Sequence, residues 1–171
     1  MRVALRMEAS AVAEGGSAIR LSGRVMGQLD AAEQLVIWAF RETTGRTEPG
    51  AEDRLRHGLH LAFGPRLSAA AACSFDGLRR CLMADPARAP RFGPLRCACL
   101  SADEDSLLGG LAAAQLGDRS RHDSLVHRFV APPARLQLWR QSRLLATILG
   151  HADLVLPDPR LVQLGTEAVP H

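Results

Sequence analysis

The stretch "RCACLSADEDSLLGG", residues 96–110, decides the fold. Ser101 is followed three residues later by Glu104, just ahead of an apolar run. That is the pattern of a capping box. The serine oxygen accepts from a backbone N–H at the open end of a helix, and the glutamate bonds back to the capping residue. Asp103 and Asp105 add negative charge where the helix dipole is positive. The spacing therefore predicts a helix from 101 to about Gly117. Asp30 and Glu33 repeat the pattern ahead of "AAEQLVIWAFRETTG", which runs to the stop signal Gly45. Leu35, Val36, Ile37, Trp38 and Phe40 make that helix apolar almost all round, so it should lie buried.

Four further helices follow from apolar residues at helical spacing, and no segment sustains alternation of period two. One spans about 51–63, with Leu55, Leu59, Ala62 and Phe63 on its stripe, and "GPR" ends it. The next, "LSAAAACSFDGLRRCLM", reaches about 83. A helix over about 120–131 turns Leu125, Val126, Phe129 and Val130 inward. The last, about 133–150, starts at Pro132–Pro133 and carries Leu138, Trp139, Leu145, Ala146 and Leu149 on its apolar side. Pro86, Pro90 and Pro94 interrupt residues 84–96, because proline removes a backbone donor and disfavours helix before it.

The fold class expected is all-α: about six helices in two groups, packed as a compact helical bundle and forming one domain. An irregular arm (1–27, with a short strand or turn at "AIRLSGRV") precedes the first group (28–83). Residues 84–96 link it to the second group (97–156), and a tail follows (157–171). "LDAAEQ" and "LSADED" also echo each other at an offset of 71 residues. A duplicated three-helix unit and two independent capping boxes explain that equally well.

Composition narrows the function classes. The net charge is +3, and every one of the 21 basic residues is arginine, with 18 acidic residues nearly balancing them. Lysine, asparagine and tyrosine are all absent. Their codons are rich in A and T, so the arginine bias reads as GC-rich coding rather than as a nucleic-acid footprint. Arg6 and Glu8 stand where a secretion signal needs its apolar core, so a cytoplasmic chain is expected. The longest strongly apolar run, "LVIWAF", is far too short for a bilayer. Partners are expected to be a second copy or another protein, with neither nucleic acid nor membrane favoured.

No nucleophile elbow, phosphate loop, zinc-protease or dinucleotide motif is present, so no catalytic residue is assigned. The sharpest metal candidate is Asp53, His57 and His60 in "DRLRHGLH". At helical spacing they fall within roughly 60° of one another, opposite the Leu55–Leu59 stripe. Such a set would take zinc or iron; no other cofactor is implied. Cys97 and Cys99 are a second candidate, although adjacent carboxylates oppose a thiolate. Cys73 and Cys81, about 12 Å apart along a helix, cannot share an ion without a break near Gly77. His122 and His127 diverge by about 140°, so His122 reads as a hydrogen-bonded boundary histidine.

Arg135, Arg140 and Arg143 form a candidate anion-binding set. Gly109, Gly110 and Leu111, in the small-residue run "GGLAAA", and Trp139 on the last helix are the candidate interface. The leading expectation is a non-enzymatic helical adaptor or regulator, acting through helix–helix contacts as a homodimer. A metal protein and an anion or nucleic-acid binder are the alternatives.

Overall fold

The computed structural model describes residues 19–44 and 49–157. Most of the expected arm (1–18), the expected stop at Gly45 and the tail beyond 157 lie outside the described residues.

Strand β1, Leu21–Val25, enters through a single 3₁₀ turn into helix α1, Ala31–Thr44. Helix α2, Ala51–Met83, is followed by irregular chain to strand β2, Cys99–Ser101, and helix α3, Ala102–Gln115. Helix α4, Arg119–Val126, and two 3₁₀ turns lead to helix α5, Arg135–His151.

The chain is mostly helical, but not purely so. β1 and β2 pair antiparallel, with Leu21 opposite Ser101 and Val25 opposite Cys99. Met26 N–H to the Ala98 carbonyl (2.7 Å) and Ala102 N–H to the Arg20 carbonyl (2.7 Å) extend the ladder at both ends. The all-α expectation is corrected here. Two short strands far apart in sequence satisfy each other's backbone, and neither carries an alternating pattern.

Both capping boxes form. Glu104 N–H donates to Ser101 Oγ (3.0 Å) while Ser101 N–H donates to Glu104 Oε2 (2.7 Å). Glu33 N–H donates to Asp30 Oδ1 (2.8 Å), and Asp30 N–H donates to Glu33 Oε2 (3.2 Å). Arg24 of β1 lies between the two helix starts, donating to Glu33 and to Asp105.

The second and third expected helices are one kinked element. Gly64, at φ 68° and ψ 176°, breaks the geometry inside α2, and Pro65 starts the second limb, where its missing N–H costs nothing. Among the described residues, five helices therefore stand where six were expected. The core joins all the described helices: Val36, Ile37 and Phe40 of α1, Leu59, Phe75 and Leu78 of α2, Leu107 and Leu111 of α3, Val126 of α4, and Leu138, Leu145 and Leu149 of α5 are all buried. α2 packs on both α1 and α5, and α3 packs on both α4 and α5.

Residues 84–96 are not a loose spacer. Phe92 stacks on Phe40 of α1, with ring centroids 5.6 Å apart. Ser101 Oγ donates to the Arg91 carbonyl (2.6 Å), and Gly93 N–H donates to Glu104 Oε1 (3.0 Å). The clamp that holds this segment is Arg41. Its Nε and Nη2 donate to the two Glu104 carboxylate oxygens at 2.7 and 3.0 Å. The remaining N–H groups reach the carbonyls of Pro94 (3.2 Å), Cys97 (2.6 Å) and Cys99 (2.8 Å). The Arg41 and Glu104 side chains are 1% and 0% exposed. One planar guanidinium thus joins α1, the irregular segment, β2 and the start of α3, with carbonyls and a carboxylate filling its donor fork.

Candidate functional site

A concavity of about 620 Å³ lies against both limbs of α2, one on each side of the Gly64 kink. The first limb lines it with Asp53, Arg56, His57 and His60; the second contributes Ser68 and Cys73 among small alanines. The helical stripe falls as expected except at Ala62, which is exposed. Leu55, Leu59 and Phe63 point into the core, and Asp53, His57 and His60 remain on the exposed side. The cleft therefore gathers the three sequence-predicted residues along one wall and places a thiol on its border. Cys73 was not assigned to this site by sequence, because its approach depends on a backbone bend rather than on spacing.

This collection does not form a ligand shell. Among the described residues, no three His, Cys, Asp or Glu side chains are arranged to hold a metal ion. Asp53 is engaged by Arg56 at 3.3 Å, and Arg56 also reaches Glu52 at 3.2 Å. A cation approaching Asp53 would meet that guanidinium first.

Cys97 and Cys99 likewise meet no histidine or carboxylate in such a grouping. Their backbone carbonyls serve Arg41, and both thiols are free. Cys73 and Cys81 also stay apart, since Gly64 is the one non-helical position inside α2 and the helix continues through Gly77. Burial raises the Cys81 thiol pKa, against the opposing pull of Arg80.

The arginine set 135, 140 and 143 does not assemble. Arg143 donates to the carbonyls of Ala114 and Gln115, so it caps the C-terminal end of α3, where the dipole is negative. Arg140 is exposed, and Arg135 has a buried Nε without a hydrogen-bond partner.

The expected interface residues also have internal contacts. A Cβ on Gly109 would lie 3.1 Å from Leu125, and one on Gly110 would lie 2.6 Å from Val126. The "GGLAAA" run is thus where α3 and α4 approach, and Leu111 is buried beneath it. Trp139 packs edge-on against His122 at 5.1 Å.

His122 itself completes a polar relay that sequence only partly suggested. Its Nε2 lies 2.9 Å from Ser142 Oγ, and its Nδ1 lies 3.1 Å from Asp123 Oδ1. Serine, histidine and aspartate stand in the order used by hydrolytic triads. Access decides against that chemistry: His122 and Ser142 are 1% and 2% exposed, so neither reaches a reactant. The relay joins α4 to α5. Desolvation lowers the imidazole pKa from its ordinary 6.5, outweighing the hydrogen bond and charge of Asp123.

No helix among the described residues is long and apolar enough to cross a membrane. No protein-family model matches the chain, and no match was found among curated proteins or solved structures.

Proposed function

We propose that this chain is a non-enzymatic helical bundle that works as an adaptor or regulator, and that its working form is a homodimer built on the outer side of α5. One observation carries the reading. A hollow of about 360 Å³ lies among Ala146, Thr147 and Gly150 of α5, Leu116 and Leu156. On or beside it stand Leu116 (63% exposed), Val155 (70%) and Leu144 (50%).

Apolar knobs and a hollow of mixed lining, with Gln115, Arg143 and Thr147 beside the apolar residues, occupy one patch. A two-fold interface needs that self-complementarity, because each copy presents the same surface to the other. Among the described residues of the lining, Arg143 is the one that carries charge, and its guanidinium is turned to the α3 carbonyls, where the negative end of that helix partly offsets it. The interface moves from Gly109, Gly110, Leu111 and Trp139, which pack internally, to this side of α5.

Sedimentation equilibrium across the micromolar range tests the proposal. Wild-type protein should show a concentration-dependent dimer. Leu116→Glu and Val155→Glu should each give a monomer with an unchanged circular-dichroism spectrum, since both side chains are exposed. A wild-type monomer throughout, or a dimer indifferent to both substitutions, overturns it.

A metal-dependent reading has one observation in its favour: Asp53, His57, His60 and Cys73 border a single cleft. Stoichiometric zinc or iron in the purified protein, lost on His57→Ala, would carry that reading. Protein purified without chelator and free of both ions would end it.

A further inference from the structure

Two adjoining hollows on another face share a wall of Arg91, Asp103 and Arg128. One, of about 480 Å³, adds Arg88; the other, of about 300 Å³, adds Arg20 and lies over the capped start of α3 at Ser101 and Ala102. Four arginines thus border the pair of hollows, with Asp103 as the one carboxylate among the described residues of the walls. They come from separate parts of the chain: the approach to β1, the irregular segment before β2, and the 3₁₀ turn after α4. Sequence spacing could not bring them together.

Asp103 already shows how the wall holds an oxyanion. Arg128 Nη2 donates to its Oδ1 at 2.7 Å, and the Arg91 backbone N–H donates to its Oδ2 at 2.9 Å. Arg128 is held over the Phe129 ring at 4.8 Å, which fixes the plane of its fork. Arg88 contacts Asp85 at 3.3 Å, and both side chains are more than two-fifths exposed, so that pair holds the arginine weakly. The walls keep a surplus of positive charge after Asp103 is counted, and the positive end of the α3 dipole adds to it.

We propose that these hollows bind a linear oligophosphate, whether free or carried as the triphosphate of a nucleoside. A single phosphate would only take the place of Asp103. A chain of phosphates can extend along the shared wall and meet guanidinium groups in both hollows, where bidentate bonding is strongest. Aromatic stacking, which single-stranded nucleic acid uses, has only Phe129 to draw on among the described residues of the walls. Phe129 is buried under Arg128, and both tryptophans are half-buried elsewhere.

Isothermal titration with tripolyphosphate at low salt tests this. Binding is expected, weakening steeply as salt rises. Arg128→Gln and Arg20→Gln should each weaken it about tenfold. Asp103→Asn should tighten it several-fold, since the competing carboxylate is gone; a merely structural Arg128–Asp103 pair predicts no gain. Arg20 is exposed, so its variant reports on binding even if the others disturb folding.

Equal binding of tripolyphosphate and ATP places recognition on the phosphates alone. Much tighter ATP binding places it on a nucleotide; either result supports the site. No binding at millimolar tripolyphosphate overturns it, as does binding unchanged by both arginine substitutions. A single-stranded oligonucleotide that binds more tightly than tripolyphosphate through the same arginines replaces the proposal with a nucleic-acid surface.

Discussion

Arg41→Leu should be among the most damaging single substitutions in this chain. The side chain makes five hydrogen bonds: two to the Glu104 carboxylate and three to the carbonyls of Pro94, Cys97 and Cys99. Without it, the carboxylate stays fully buried with only the Gly93 and Ser101 N–H groups as donors. Removing one partner of a buried pair costs about 3–5 kcal/mol, because the orphaned charge cannot rehydrate. Against a total stability of about 5–15 kcal/mol, that is a large fraction. For a chain of this size the melting temperature should fall by about 6–20 °C.

Glu104→Gln should also be costly, since the new amide must turn an NH₂ toward a donor on one side or the other. The double variant Arg41→Leu/Glu104→Gln separates charge pairing from simple damage. It should be more stable than the two single losses predict by about 2 kcal/mol or more. Urea unfolding followed by helical circular dichroism and by tryptophan fluorescence reads all three, with Trp38 on α1 and Trp139 on α5 reporting from both halves. Strict additivity, or an Arg41→Leu loss under about 1 kcal/mol, would refute the reasoning.

Three further outcomes follow from single positions. Gly64→Ala meets no atom within 4 Å, yet it should cost about 1–3 kcal/mol, because φ 68° with ψ 176° is a region that essentially only glycine enters; an unchanged thermal midpoint would contradict the kink. Gly110→Ala gains about 1 kcal/mol of helix propensity but forces a methyl to 2.6 Å from Val126, so net destabilisation is expected, with part of it recovered by adding Val126→Ala. His122 is held neutral by burial, so its contribution to stability is complete above about pH 6.5 and is lost as pH falls below that value toward its lowered folded pKa. The wild-type-minus-His122→Gln stability difference should therefore shrink between pH 7.5 and pH 5, and a difference flat across that range would count against it.

The legible parts of the chain were those whose causes are local. Both capping boxes could be read because the hydroxyl or carboxylate and its N–H partner sit three residues apart. The Leu55–Leu59–Phe63 stripe could be read for the same reason, and so could the break at Gly64. What followed the break could not: proline after glycine fits equally well an ended helix and a helix restarting at a new angle. The strand pair was hidden because "LSGRV" and "CLS" acquire strand geometry only from each other. The surroundings of the candidate site residues were hidden for a related reason. Arg143 reads as a ligand-binding residue until the carbonyls at the end of α3 are brought to it. Gly109 and Gly110 read as a docking strip until α4 fills it.

The faint echo at an offset of 71 residues acquires more content from the fold. α1 and α3 begin at Ala31 and Ala102, displaced by that offset to the residue. Each is preceded by one strand of the pair, each opens on a capping box, and Arg24 reaches a carboxylate in the first turn of both. Gly64, the kink in α2, maps onto Arg135, the first residue of α5. The two halves thus share a plan of strand, capped helix, and a second helical stretch interrupted at the same register. Their differences are concentrated where the distinctive chemistry lies. Glu33 answers to the half-exposed Arg24, whereas its counterpart Glu104 answers to the buried Arg41, which maps onto Ala112 in the other half. The first half keeps its two limbs in one kinked helix and opens the cleft with His57 and His60. The second half splits them, and the turn between carries Arg128 into the arginine-lined hollows. Those departures from the shared plan, rather than the plan itself, are where function in this chain should be sought.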